Sequence, residues 1–268
     1  MDGSTEASTG AGTEAGTASL AAAILAEAEE LIRISAQRAL TVRLAGSLAI
    51  RAQCPAHAPL LAALGRRPYR DIDLMAYWKD RRQVAALFEE RGYVLDPAVR
   101  HAQEFGVKRF VYEHPGSRLK ADVFCDDLVM AHTIPFRGRL ELDAPAITVT
   151  DLLLTKLQIH EFTENDLIDC VVLLAEHEPG DTIDTGYIAD IMRKDWGFCH
   201  STQLNLAAIG EAAGRFPALP ADVATTVRRR AAALRHAIDS APKTQKWKLR
   251  ARLGDRVRWY EEVEEVNR

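Results

Sequence analysis

A change of hydrophobic period near residue 150 limits what this chain can fold into. From Thr150 to the C-terminus, apolar residues return every three or four positions: TDLLLTKLQIHEF, then ENDLIDCVVLLAEH, then three or four further segments of the same kind. That spacing lines one face of a helix and cannot line one face of a strand. Upstream the pattern is mixed. LAAAILAEAEELIRISAQRA, beginning at about Ser19, has helical spacing. LTVRLAG (residues 40–46) reads as a short strand running into a small-residue turn, and SLAIRAQ after it is helical until Pro55 stops it. Residues 55–70 form a loop with a short helix, DIDLMAY (71–77) a second strand, and DRRQVAALFEERGY an amphipathic helix ending near Gly92. KRFVYEH and RLKADVF are the arms of a hairpin around PGS (115–117), and AITV (146–149) reads as a last strand. The expected fold is α+β: a sheet-and-helix core over residues 18–149, then an all-helical domain over 150–268. Residues 1–17, MDGSTEASTGAGTEAGT, offer no apolar face and are expected to be a disordered tail.

Composition decides less. A chain of 268 residues is long enough for one large domain or two small ones. No apolar run approaches the roughly 18 residues that span a bilayer. The first positive charge is Arg33, so the N-terminus lacks the basic start and apolar core of a secretion signal. A cytoplasmic protein without a membrane partner is expected. Cys54, Cys125, Cys170 and Cys199 have no zinc-type spacing and suit buried thiols in a reducing compartment. The net charge of −4 hides an asymmetry: residues 228–258 carry eleven Lys or Arg against two Asp. That segment suits either a polyanion or the solvated face of a helix pair.

The chemistry concentrates between residues 46 and 122. In a strand, Asp71 and Asp73 point to one side with Ile72 opposite, and like charges so close raise each other's pKa unless a cation lies between them. A divalent ion resolves the conflict, since Mg²⁺ takes carboxylate, phosphate and water oxygens. Asp122, on the second arm of the hairpin, can bring a third carboxylate to the same face. Three carboxylates from two strands suit two ions roughly 3.5–4 Å apart and in-line attack on phosphorus. Gly46 and Ser47, between a strand and a helix with Ser47 as the N-cap, suit phosphate binding by backbone N–H groups and a hydroxyl. Lys156 is a lone cation among DLLLTKLQI and suits a phosphate contact. Each feature also has a plain structural reading: acids that protect a sheet edge, an ordinary helix cap, a lysine that snorkels.

The order strand, Gly-Ser, helix, strand with D-x-D, then a later strand with a third acid resembles the polymerase-β-like nucleotidyltransferase superfamily. The stretch AITVTDLLLTKLQIHEFTENDLIDCVVLL is similar to its stand-alone, AbiEii-toxin-like branch, where a helix bearing a lysine precedes an acidic D-x-x-D helix start. Lys156 matches that lysine, and Asp166 with Asp169 the acidic pair. The resemblance covers about residues 40–180. It implies a small mixed sheet flanked by helices, with Asp71, Asp73 and Asp122 as catalytic residues holding two Mg²⁺ ions, for which Mn²⁺ can substitute. It further implies transfer of a nucleoside monophosphate from a nucleoside triphosphate to a hydroxyl acceptor: an RNA end such as that of tRNA, a protein or a small molecule. Gly46, Ser47, Lys156 and Arg70 would bind the nucleotide. The 23 residues between Ser47 and Asp71 exceed the compact form of the motif, and their Arg66, Arg67 and Arg70 would either cover the triphosphate or extend a helix.

Two other functions fit the same sequence. One is a catalytically inactive module of this fold that binds RNA or a protein through residues 228–258, with Trp247 and Trp259 available for stacking. The other is a toxin or an antitoxin-paired regulator. His160 and Glu164 stand four apart in a helical pattern, a spacing compatible with zinc but without an evident third ligand. His101, His114 and His132 form no recognisable nucleophile–base arrangement.

Overall fold

A computed structural model describes residues 9–262. In chain order its elements are α1 (Thr9–Gln37), β1 (Arg43–Leu44), α2 (Gly46–Gln53), α3 (Ala58–Ala63), β2 (Ile72–Ala76), α4 (Arg81–Glu90), β3 (Val94–Leu95), α5 (Pro97–Glu104), β4 (Arg109–Glu113) and β5 (Lys120–Cys125). There follow β6 (Asp127–Val129), β7 (Thr133–Pro135), α6 (Val149–Leu157), α7 (Glu164–Glu176), α8 (Thr185–Met192), α9 (Trp196–Ala212), α10 (Ala221–Ser240) and α11 (Gln245–Ala251). The fold is mixed α and β, with a small mixed sheet and many helices. The chain divides into two compact units, one of residues 1–48 and 67–125, the other of residues 49–66 and 126–268. Part of the expected tail, residues 1–8, lies outside the described residues. The rest does not match the expectation, because α1 already begins at Thr9; helix extension fixes one residue per hydrogen bond once a downstream turn exists.

The first unit holds a five-stranded sheet in the order β1-β2-β5-β4-β3. β2 and β5 run parallel, and the other pairs are antiparallel. The β4–β5 hairpin forms where PGS and the flanking alternation put it. α4 stops before Gly92, whose φ of +81° favours glycine. Behind the sheet, Phe88 of α4 stacks on Tyr112 of β4 at 4.3 Å, and Phe110 stacks on Tyr112 at 5.8 Å. β3 and α5 were not expected, although Asp96-Pro97 is a strong helix start: Asp96 accepts the Ala98 N–H and Pro97 occupies the first turn.

In the second unit α7 is buried without a break from Ile168 to Ala175. Its start is a capping box, with Thr163 and Asp166 each accepting the other's backbone N–H. Two expectations fail here. AITV is not a strand, because Thr148 accepts the Asp151 N–H and starts α6 at Val149. α6 then ends at Leu157 and Glu164 opens α7, so His160 and Glu164 do not share one helix. The β6–β7 hairpin was also not expected. Among the described residues, no helix is long and apolar enough to cross a membrane.

Candidate active site

Gly46 and Asp73 define one corner of the sheet unit. β1 pairs with β2, and the Ala45 N–H donates to the Asp73 carbonyl at 2.9 Å. The chain then turns through Gly46, at φ +57°, directly into α2. A β-carbon on Gly46 would stand 2.1 Å from Oδ2 of Asp73, 2.9 Å from its Cγ and 3.0 Å from its Cβ. The Asp73 carboxylate therefore lies flat against the Gly46 backbone, and glycine is required there both for its torsion and for its missing side chain. Ser47 falls within the first turn of α2 and is not its N-cap, since the turn into the helix is made one residue earlier, by Gly46.

Asp73 and Asp122 are register partners in the parallel β2–β5 pair, so their side chains share one face of the sheet. Asp73 is half-buried and Asp122 is 4% exposed. Asp71 does not join the ladder: it occupies a bend one residue before β2, so strand alternation does not fix its direction. Among the described residues, no group of three or more His, Cys, Asp or Glu side chains stands together as a metal-holding cluster. Arg70 is exposed on the approach to that bend.

The cation beside these acids is one that sequence reasoning missed. Arg109 of β4 grips Asp122 with a two-pronged fork: Nε donates to Oδ1 at 2.7 Å and Nη2 donates to Oδ2. Its hydrogen bonds to Asp122, and then the charges of Asp122 and Asp73, hold the guanidinium pKa above its ordinary value against the opposing effect of burial. Arg109 stands two residues from Val111, the β4 partner of Asp122, so the hairpin register makes them diagonal neighbours. That register was the available signal. The donor set still suits one magnesium ion, because each carboxylate oxygen has a second lone pair when an N–H uses the first.

The second unit gathers the residues named with the lysine. Lys156 Nζ donates to Asp166 Oδ1 at 2.9 Å and pairs with Asp169 Oδ2 at 2.8 Å. Arg66 completes the network, with Nε 2.9 Å and Nη2 3.2 Å from the two oxygens of Asp169, which is wholly buried. Burial pulls the Lys156 ammonium down, but Asp169 and Asp166 outweigh it and keep its pKa above the usual lysine value. Lys156 is thus not a lone cation, because the acidic start of α7 turns back onto α6.

The basic segment spends much of its charge internally. Arg229 forks onto Glu178 and Arg230 Nε donates to the same carboxylate, and chiefly Arg229 holds that carboxyl down to about 2. Arg230 also donates to the carbonyls of Leu174 and Ala175, and Arg250 to those of Gly254 and Val257. Trp259 packs against Gly197 and its indole N–H donates to Ser201 at 3.1 Å, so it is no open stacking platform. Ser201 is also 2.9 Å from His132 Nε2, a Ser–His contact across 69 residues that no local pattern announces. Burial drives the His132 pKa down to about 4, which makes it a neutral packing group. The sequence matches no protein-family model and no curated protein.

Proposed function

We propose that the sheet unit is the core of a Mg²⁺-dependent nucleotidyltransferase that moves a nucleoside monophosphate from a nucleoside triphosphate to a hydroxyl acceptor. The observation that carries this reading is the pairing of Asp73 with Asp122 on one sheet face, with the Asp73 carboxylate laid against the backbone of Gly46. That turn sets Asp73 beside the start of α2, where the first-turn N–H groups and the Ser47 hydroxyl bind the triphosphate oxygens. Asp73 and Asp122 hold the metal, with Asp71 on the neighbouring bend as third carboxylate, and Arg70 offsets triphosphate charge. Bound Mg²⁺ supplies positive charge at the phosphate oxygens and acidifies the attacking hydroxyl. In the net reaction the acceptor oxygen bonds to the α-phosphorus and gives up its proton to solvent, the bond to the β-phosphate breaks, and pyrophosphate leaves with that electron pair. Arg109 fixes the direction of Asp122 throughout. In this reading Lys156 braces the helices.

One observation favours the inactive module instead: the Arg109 fork already engages both oxygens of Asp122. The two readings separate on incubation with each labelled nucleoside triphosphate, Mg²⁺ or Mn²⁺ and a cell extract. The catalytic reading requires label in RNA, protein or a small molecule, and its loss in Asp73→Asn with folding intact. Full labelling by that variant would refute the assignment.

A further inference from the structure

We propose that the sheet unit carries a second site, an anchoring cleft for a single strand of nucleic acid, on the sheet face opposite Asp73. Phe110 alternates with Arg109 along β4, so it faces away from Asp122 and toward α4. There Trp78, Phe110, Arg81, Arg82, Arg100 and Gln103 line an open cleft of about 260 Å³, and no acidic side chain is among its lining. Trp78 and Phe110 form its aromatic floor, with ring centroids 5.7 Å apart. Arg81 lies 5.2 Å over the Trp78 ring and donates to the Trp78 carbonyl at 3.1 Å, which holds that guanidinium in place. Arg82 and Arg100 are exposed and form no ion pair among the described residues. Elsewhere arginines such as Arg229, Arg230 and Arg38 are matched to carboxylates.

One guanidinium held over the Trp78 ring, with two more exposed at the cleft and no acid in its lining, selects phosphate with a planar group attached. The cleft is smaller than the roughly 300–1,000 Å³ of a pocket that encloses a small ligand, so a passing segment of a polymer fits it better than a free nucleotide. Phe105, at the C-terminus of the helix that supplies Arg100 and Gln103, is 78% exposed and offers a further stacking surface for an unpaired base. The inference does not depend on the catalytic reading, because binding here needs neither metal nor triphosphate.

The test is fluorescence anisotropy of the full chain with labelled single-stranded RNA and DNA oligonucleotides, across a salt series without Mg²⁺. Each phosphate contact on a single strand contributes about 0.7 to the slope of log affinity against log salt. The double variant Arg82→Ala/Arg100→Ala should lower that slope by about 1.4 and weaken binding about 25-fold at 0.1 M salt. Lys248→Ala/Arg252→Ala, on the basic helical segment, should leave both unchanged. Circular dichroism melts confirm that all variants fold. No binding by the parent, an unchanged slope in the double variant, or tighter binding of duplex than of single strand would each overturn the proposal.

Discussion

Replacing Gly46 with alanine tests the geometry at the centre of the site. The perturbation has two separable parts. Gly46 adopts φ +57°, where an L-residue is strained by about 1–2 kcal/mol. The new β-carbon would also meet Asp73 at 2.1 Å from Oδ2 and 3.0 Å from Cβ. Because contact extends to the β-carbon, rotating the carboxylate cannot relieve it, and β2 or the turn must shift. Overpacking of this kind costs about 1–3 kcal/mol. The expected loss is about 2–5 kcal/mol, read as a lowered urea midpoint with an unchanged m value. A double-mutant cycle with Asp73→Ala separates the parts, since that change removes the two contacts at Oδ2 and Cγ and leaves the torsion. The pair should couple favourably by about 1–3 kcal/mol, with the torsional cost remaining. Strict additivity, or a Gly46→Ala protein within about 0.5 kcal/mol of the parent, would refute the idea that Asp73 is seated on the turn.

Three other perturbations follow from the charge clusters. Arg109→Met leaves Asp122 buried beside Asp73 without its guanidinium and should cost about 3–5 kcal/mol in a urea melt. If the two acids can share a cation, millimolar Mg²⁺ should recover part of that loss in the variant, and a melt indifferent to Mg²⁺ would count against the metal site. Lys156→Met should destabilise by a similar about 3–5 kcal/mol, because Asp166 and Asp169 lose their shared ammonium, and adding Asp169→Asn should give part of it back. His132 titrates near 4 when folded against 6.5 unfolded, so only the unfolded chain takes up its proton between those values. Its contribution is complete above pH 6.5 and disappears as pH falls toward 4, by up to about 3 kcal/mol. Urea melts at pH 7 and 4.5 measure the drop, which His132→Gln should flatten.

What could be read from the sequence was what local chemistry dictates. The β4–β5 hairpin, the end of α4 at Gly92 and the start of α7 all rest on signals within a few residues. AITV has β-branched composition, but the Thr148–Asp151 cap commits Val149 to a helix. Asp71 lies one residue before the ladder, where strand alternation no longer holds. Lys156, Arg66 and Arg109 were misjudged or missed because their partners lie 10 to 103 residues away in the chain. Ion pairs across such distances follow from strand register and helix packing, which a linear pattern does not carry.

The two acid-rich clusters differ in a way that bears on their roles. In the helical unit, two cations meet two acids, all four side chains are at most 13% exposed, and each acid accepts from a cation. A balanced, water-excluded set of this kind holds helices in place, and a ligand could engage it only by breaking buried pairs at several kcal/mol. On the sheet the burden is unequal: Arg109 takes Asp122 into a buried fork, while Asp73 stays half-buried with its carboxylate against the Gly46 backbone. Asp122 is thereby fixed in direction, and Asp73 is the carboxylate that an incoming charge reaches first. In the proposed site Asp122 is the carboxylate held in direction and Asp73 the more exposed one, next to a helix start that suits phosphate.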